Sequence, residues 1–157
     1  MRKPIKRHKA LQPLSREHHY GLLLCWKIRQ GFKLNIEPER IKSYIDWFQL
    51  NYLKPHFEAE EKLIFPILGN DYDLVKRALT EHRRLEKLFN QESELEKTLK
   101  QIEKELDLHI KFEERVLFNK IQKEATSDQL EVIKEHHQDG NFSDDDWEDH
   151  FWISEKK

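Results

Sequence analysis

Two stretches of the sequence place a histidine four residues before a glutamate, in nearly the same arrangement. The first is HFEAEEKLIF at residues 56–65, and the second is HIKFEERVLF at residues 109–118. On a helix, residues four apart lie on the same face, so each stretch presents an imidazole beside a carboxylate. Iron, manganese and zinc all accept these two ligand types. The repeat therefore indicates metal coordination.

The position of these residues on their helices strengthens that interpretation. His56 and Glu60 interrupt the apolar stripe of one predicted helix, and His109 and Glu113 interrupt the stripe of another. A histidine alone in such a stripe is usually a hydrogen-bonded core residue. A buried carboxylate, however, must be protonated, paired with a cation or bound to a metal, because an unpaired buried charge costs many kcal/mol. Nearby lysines and arginines lie mostly off the stripes, so a metal ion is the simplest counter-charge.

Two further histidines lie on the other predicted long helices. His82 lies between Leu79 and Leu85 on the third helix, and His18 lies on the first. The neighbouring His19 would take the place of His18 if the first helix were rotated, and His18 is the preferred candidate. Two divalent metals, each held by two histidines and bridged by two glutamates, match this set of side chains.

Four long amphipathic helices must position these side chains. Apolar periodicity predicts them at about 15–32, 38–68, 71–90 and 93–121. The predicted helix starts are capped by Ser15, by Asp71 and by a capping box of Ser93 with Glu96. Pro38 suits a first helical position, and Pro55 is expected to kink the second helix because it has no N–H to donate. Short connections favour an up-down-up-down arrangement.

Composition agrees with an all-α fold. The 157 residues are 37% hydrophobic and 37% charged with only four glycines, which favours long helices in one domain. We predict a basic N-terminal segment at 1–13, a four-helix bundle at 14–122, and a short C-terminal helix with an acidic, aromatic tail at 123–157. Thr126 and Gln129 have the spacing of a capping box for that short helix.

Both terminal segments carry blocks of charge, and we expect them to be solvated. The tail nevertheless contains four aromatic residues that we expect to dock on the bundle's own surface, with docking on a partner as the alternative. They are Phe142, Trp147, Phe151 and Trp152.

Several classes of partner are not expected. The formal net charge of −2 gives no basic field for nucleic acid. No apolar run reaches the roughly 18 residues of a membrane span. Cys25 is the single cysteine, which excludes an internal disulfide and favours a reducing compartment. We therefore expect a cytoplasmic protein that binds neither nucleic acid nor membrane, and its protein partners are not predicted.

At these residues the chain resembles the hemerythrin-like family, also called HHE cation-binding domains, over roughly residues 14–122. The family pattern is a histidine on the first helix, HxxxE on the second, a histidine on the third and HxxxE on the fourth. The matching residues are His18, His56 with Glu60, His82, and His109 with Glu113. The resemblance implies a non-haem di-iron centre inside a four-helix bundle. Its cofactor would be two iron ions, with manganese or zinc as alternatives.

One departure from the family pattern concerns function. Oxygen-carrying hemerythrins have a fifth histidine one turn after the third-helix histidine, and this chain has Glu86 there. Reversible dioxygen carriage is therefore not expected. Glu86 is included as a candidate metal ligand, and a role as a nearby or surface acid is the alternative. Four further acids are expected either to orient the imidazoles or to lie in solvent: Glu17, Glu61, Glu81 and Glu114.

Three functions are consistent with this pattern. The first is a di-iron protein that interacts with dioxygen, nitric oxide or peroxide in iron handling, stress response or sensing. The second is an oxidoreductase that uses the same centre for true turnover. The third is a metal-free helical adaptor whose histidines are satisfied by hydrogen bonds.

Overall fold

The structure is a computed structural model that describes residues 6–137 and 142–154. Within these residues the secondary structure is helical and no strand occurs, so the prediction of an all-α fold is confirmed. None of the helices in the described ranges is both long enough and apolar enough to cross a membrane.

Four helical rods form the bundle. The first is α1, Gln12–Lys33, preceded by a short turn of helix at Lys9–Leu11. The second is α2, Pro38–Phe48, which continues through Gln49–Leu53 into α3, Lys54–Ala59, and on through Glu60–Ile64 and Phe65–Ile67. The third is α4, Asp73–Phe89. The fourth is α5, Leu95–Phe112, which continues through Glu113–Leu117 into α6, Phe118–Glu124.

A short helix follows the bundle. This helix, α7, spans Ser127–His136. The connections between rods, at 34–37, 68–72 and 90–94, are short, so successive rods run in opposite directions. Thr126 caps α7 through the predicted capping box: its hydroxyl accepts from the Gln129 N–H at 3.1 Å, and its own N–H donates to the Gln129 side chain at 2.8 Å.

Three turns within the rods have the wider π-helical geometry. They are Gln49–Leu53, Glu60–Ile64 and Glu113–Leu117. The last two begin at the glutamate of each HxxxEE segment, and π-helical turns are frequent at functional sites. The first ends two residues before Pro55, where we expected a kink, and the rod continues through the proline without a break in its helical turns. The widened turn accommodates the missing N–H of the proline.

The apolar core consists of two clusters separated by a polar layer. One cluster, the tail-side cluster, contains Leu24 of α1 and Leu106 of α5. The other, the N-terminal cluster, contains Leu14 of α1 and Leu117 beyond α5. The histidine of α1 lies between the two leucines of α1, and the HxxxE pair of the fourth rod lies between the other two. The bundle therefore encloses the polar layer at mid-height.

The predicted start of α1 is wrong. The helix begins at Gln12, three residues before Ser15, because the preceding turn buries Ala10 and Leu11 in the N-terminal cluster. Ser15 lies inside the helix, where its hydroxyl donates to the Glu114 carboxylate at 2.9 Å.

The predicted starts of α4 and α5 are also wrong. The residue that precedes α4 is Tyr72, and Asp71 makes no cap. The residue that precedes α5 is Glu94, which turns the chain with a left-handed φ of 50°. Ser93 therefore lies too far back to cap the helix, and its carbonyl instead accepts from the Thr98 hydroxyl at 3.3 Å. The start of α2 at Pro38 is as predicted.

The described parts of both terminal segments are packed, which corrects the expectation of solvated tails. Arg7 donates to the side chain of Asn119 at 3.1 Å and to the carbonyl of Glu114 at 2.7 Å. Asp144 of the tail accepts from the buried Lys27 and, at 2.5 Å, from the Tyr44 hydroxyl. Each charge block meets partners of opposite charge or polar groups on the bundle, and these hold it in place.

The four tail aromatics dock on the bundle, as predicted. Phe151 is 2% exposed and belongs to the tail-side cluster. Phe142, Trp147 and Trp152 are half-buried against the same cluster. Trp152 also lies under the Lys27 ammonium, 4.1 Å from the ring centroid. Apolar burial together with a cation–π contact outweighs the solvation of the acidic residues between them.

Candidate metal centre

Six polar side chains form the layer between the two apolar clusters. These inner residues are His18, His56, Glu60, His82, His109 and Glu113. None is more than 4% exposed, and both glutamates are fully buried. Each of the four rods contributes one histidine, and the second and fourth rods each contribute one glutamate. The apolar stripes that flank these residues on every rod force them inward.

The inner residues form two groups of four that share both glutamates. One group is His18, His56, Glu60 and Glu113, and the other is Glu60, His82, His109 and Glu113. In each group the candidate ligand atoms lie within 4.8 Å of one another. All four imidazoles direct Nε2 toward the carboxylates.

Each shared glutamate directs one oxygen to each group. Glu60 Oε2 lies 3.4 Å from His56 Nε2, while its Oε1 lies 3.1 Å from His82 Nε2. Glu113 Oε1 lies 2.8 Å from His18 Nε2, while its Oε2 lies 3.1 Å from His109 Nε2. A carboxylate with its two oxygens divided in this way has the arrangement of a bridge between two cations.

The inner residues carry most of the unsatisfied buried polar atoms. Of the eight buried side-chain nitrogen and oxygen atoms without a hydrogen-bond partner in the described residues, six belong to this layer. They are Nε2 of His56, His82 and His109, both oxygens of Glu60, and Oε2 of Glu113. Buried polar atoms in proteins are nearly always satisfied. Six that converge on one place fit cations held by nitrogen and oxygen ligands, the set that suits iron, manganese and zinc.

A second layer of carboxylates surrounds the histidines. These outer carboxylates are Glu17, Glu61, Glu81 and Glu114. They accept from the histidine Nδ1 atoms in the pairs Glu17–His56 at 2.7 Å, Glu61–His82 at 2.8 Å, Glu81–His109 at 2.7 Å and Glu114–His18 at 2.9 Å. A bond from Nδ1–H fixes the ring and leaves Nε2 free for a metal.

The outer carboxylates form a closed ring around the bundle. Each belongs to one rod and holds the histidine of the next rod, and the fourth returns to the first. Each is also the sequence neighbour of an inner residue: Glu17 and Glu81 precede histidines, while Glu61 and Glu114 follow glutamates. The orienting role that the sequence suggested for these four acids is the one that the hydrogen bonds support.

The excess of carboxylates favours positive charge in the layer. Burial lowers the pKa of His56, but Glu60 and Glu17 outweigh it and raise that pKa to about 9. For His18 and His82, burial lowers the pKa, but hydrogen-bonded carboxylates raise it by more, so both pKa values lie well above the ordinary range. Because six carboxylates face four imidazoles, the same field that holds protons attracts cations.

A basic group contacts each outer carboxylate from outside. The pairs are Glu61 with Arg83, Glu81 with Arg77 at 3.0 Å, Glu114 with Arg7 at 3.8 Å, and Glu17 with His137 at 3.0 Å. Three of these groups are arginines and the fourth is a histidine from the end of α7. The sequence did not indicate His137, because its contact spans 120 residues and depends on how α7 packs.

Glu86 lies outside both groups. Its carboxylate accepts two hydrogen bonds from Arg83, at 2.7 and 2.8 Å, and its side chain is 35% exposed. Of the two neighbouring histidines on α1, His18 enters the layer and His19 is exposed. The structure thus brings together six of the seven candidate ligands.

A cavity of about 220 Å³ adjoins the layer. It reaches His18, His56, His109 and Glu113 at its inner end. Its remaining walls are mostly apolar and aromatic side chains from α1, the second rod, α5 and the tail. A small molecule in this cavity would lie against both groups of the layer.

Comparison with known proteins identifies the family. The family described as the hemerythrin HHE cation binding domain matches residues 9–91 and again residues 80–144. Searches of curated proteins and of solved structures return no match. The two matched ranges together include every inner residue and most of the chain. The chain therefore belongs to the hemerythrin HHE cation-binding domain family.

Proposed function

We propose that this chain is a non-haem di-iron protein. His18 and His56 would hold one iron, His82 and His109 would hold the other, and Glu60 and Glu113 would bridge them. The observation that carries this proposal is the division of each glutamate's oxygens between the two groups. A single-ion site would not need both carboxylates to face two pairs of imidazoles.

The donor types suit iron, manganese and zinc alike, but a paired six-coordinate site favours iron or manganese over tetrahedral zinc. Each group offers two nitrogen and two oxygen atoms, and structural zinc sites close with four protein ligands, usually including sulfur. Iron and manganese take six ligands, so four protein donors leave positions for an external molecule. Bound iron would supply a change of oxidation state and open positions for a small ligand. The outer carboxylates would keep the imidazole Nε2 atoms directed at the ions.

We further propose that the external ligand is dioxygen, nitric oxide or peroxide, in iron handling, stress response or sensing. The apolar walls of the adjoining cavity support entry of an uncharged small molecule. Dioxygen carriage is disfavoured because Glu86, which stands in place of the fifth histidine, is held by Arg83. The chain therefore keeps more open positions than a carrier of the five-histidine type.

Anaerobic reconstitution with Fe²⁺ followed by elemental analysis tests the proposal. The purified chain should retain two irons after desalting. His18→Ala should lose about one iron, since it removes a ligand of one group. His19→Ala is the matched control, because the same side chain is deleted one position away at an exposed site. Retention of fewer than one iron by the unmodified chain, or equal iron content in the two variants, would contradict the proposal.

An oxidoreductase with true turnover is the second candidate, and the cavity beside the centre favours it. Peroxide or nitric oxide consumption that exceeds the iron content by many cycles would establish turnover. The metal-free adaptor is disfavoured by the six unsatisfied buried atoms. For an adaptor, chelation would leave the melting temperature unchanged, whereas a di-iron protein should lose stability on metal removal.

A further inference from the structure

The cavity beside the centre is larger than a diatomic molecule requires. Its volume is about 220 Å³. An apolar protein cavity of about 150 Å³ binds a benzene molecule, which has six non-hydrogen atoms. By that standard this cavity accommodates roughly nine non-hydrogen atoms, which is one ring with small substituents. Dioxygen or nitric oxide, each with two, would leave most of the space unfilled.

The walls of the cavity select for an uncharged, flat molecule. The ring of Phe142 stacks on Tyr20, with centroids 4.8 Å apart, and meets Tyr52 edge to face at 4.6 Å. All three rings line the cavity, together with Phe48 and other apolar side chains. Aromatic rings favour other rings in stacked or edge-to-face contact.

The charged groups in the wall of the cavity are already paired with one another. Glu17 accepts from His56, and Glu113 lies 2.8 Å from His18 Nε2 and 3.1 Å from His109 Nε2. Within the described residues no lysine or arginine lines the cavity, so a charged ligand would have to disrupt an existing pair. The rest of the wall is mostly apolar, so a cationic ligand would lose its hydration there without polar groups to replace it.

Gly21 allows Ile110 of α5 to pack closely against α1 at the wall of the cavity. A Cβ built at this position would lie 2.6 Å from Ile110 Cδ1, and both residues line the cavity. Any larger residue would push the Ile110 side chain aside and so change the wall of the cavity. Gly31, ten residues along the same helix, lies against Ile41 and Phe151 and does not line the cavity.

We infer that this cavity binds a small uncharged aromatic compound with one ring, and that Phe142 of the tail sets the size limit. The inner end of the cavity is buried, and its exposed wall residues are Asn51 and Pro55. The rings of Tyr20, Tyr52 and Phe142 are half-buried and form part of the outer wall. A bound ring would lie between that wall and the imidazoles. The inference rests on the proposed function only for the statement that the ring faces metal ions.

Nuclear magnetic resonance of zinc-loaded protein tests binding, because zinc is diamagnetic. The amide of Gly21 reports on the cavity, and the amide of Gly31 is the matched control on the same helix. Benzene and phenol should shift the Gly21 resonance saturably and leave Gly31 unchanged. No saturable shift at Gly21 up to the solubility of benzene, or an equal shift at Gly31, would overturn the inference.

The size limit is tested with Phe142→Ala and the matched control Phe32→Ala. Both replace a half-buried phenylalanine, but Phe32 does not line the cavity. Phe142→Ala should weaken benzene binding by about threefold to tenfold and admit naphthalene. Phe32→Ala should behave as the unmodified chain. Naphthalene binding that is the same in all three proteins would overturn the role of Phe142.

Iron content, measured on a parallel sample reconstituted anaerobically with Fe²⁺, separates this inference from the proposed function. A chain that takes up fewer than one iron but still shows the Gly21 shift refutes the di-iron proposal and supports the cavity as a ligand site. A chain that takes up two irons but shows no Gly21 shift supports the di-iron proposal and refutes the cavity inference.

Discussion

Glu61→Gln should weaken the binding of one of the two metal ions. Glu61 accepts from His82 Nδ1 at 2.8 Å and is held in turn by Arg83. The substitution keeps an oxygen that accepts the hydrogen bond but removes the charge that makes the imidazole a stronger ligand. Only the group that contains His82 touches this carboxylate, so only one of two binding steps should change.

The magnitude follows from the role of such partners. Loss of an acid that orients a metal-bound histidine lowers affinity by about 10- to 100-fold, which is about 1.4 to 2.7 kcal/mol. The Glu61 side chain is 25% exposed, so solvent already screens part of its charge. We therefore expect Glu61→Gln to lower the affinity for one metal ion by about tenfold. Glu61→Ala should approach 100-fold, because it also leaves the buried Nδ1–H without an acceptor.

Glu86→Gln is the matched control. Glu86 binds the same arginine, Arg83, and undergoes the same chemical change, but it contacts none of the inner histidines. Competition with a chromophoric chelator under anaerobic conditions gives both metal affinities, and circular dichroism of each metal-free variant checks the fold. Equal loss of affinity in the two variants would refute the reasoning and restore Glu86 as a candidate ligand. No loss in Glu61→Gln would refute the role of the outer carboxylate.

Three further predictions concern the packing around the centre. Asp144→Asn should lower the free energy of unfolding by about 1 to 2 kcal/mol at neutral pH. Burial raises the pKa of Asp144, but hydrogen bonds from Lys27 and a tyrosine hydroxyl outweigh burial and hold that pKa below its usual 3.8. The difference in free energy of unfolding between Asp144→Asn and the unmodified chain, measured by urea titration, should therefore shrink as the pH falls below about 4. Gly31→Ala should lower the free energy of unfolding by about 1 kcal/mol, measured by thermal unfolding. A Cβ at this position would lie 2.7 Å from Ile41 Cδ1, and the cost of this overpacking exceeds the gain in helix propensity from glycine to alanine. Burial raises the pKa of the Cys25 thiol to about 12, so a disulfide reagent should modify it at pH 8 only as fast as the chain unfolds.

The inner residues on the second and fourth rods could be predicted from the sequence because the pattern that indicates them lies within a single helix. His109 and Glu113 share a helix face, and that face is otherwise apolar, so burial of both follows from helix geometry alone. The same reasoning applies to His56 and Glu60. Glu86 is the exception: its position came from the family pattern, and its own helix face turns it toward Arg83.

Contacts between distant segments were not accessible from sequence. Three predicted helix starts were wrong. Tertiary packing of the preceding turn moves the start of α1 to Gln12, and a left-handed residue, Glu94, sets the start of α5. Charge blocks suggested solvated termini, but composition does not reveal that Lys27 is buried and available to Asp144. The widened turns at Glu60 and Glu113 likewise depend on the environment of the rods.

The ring of outer carboxylates explains why one inner residue on each rod has an acidic neighbour, and why that neighbour alternates between the two sides. These inner residues are His18, Glu60, His82 and Glu113. Successive residues on a helix are rotated by about 100°, so a neighbour of an inward residue faces an adjacent rod. The outer acid precedes the inner residue on the first and third rods and follows it on the second and fourth.

Because successive rods run in opposite directions, one step back on an ascending helix and one step forward on a descending helix rotate the same way when viewed from one end. All four acids therefore point around the bundle in one sense, and each reaches the histidine of the next rod. An acid moved to the other side of its inner residue would face the preceding rod and leave one histidine without its partner. The dipeptides EH, EE, EH and EE are thus the linear form of a cyclic hydrogen-bonded ring.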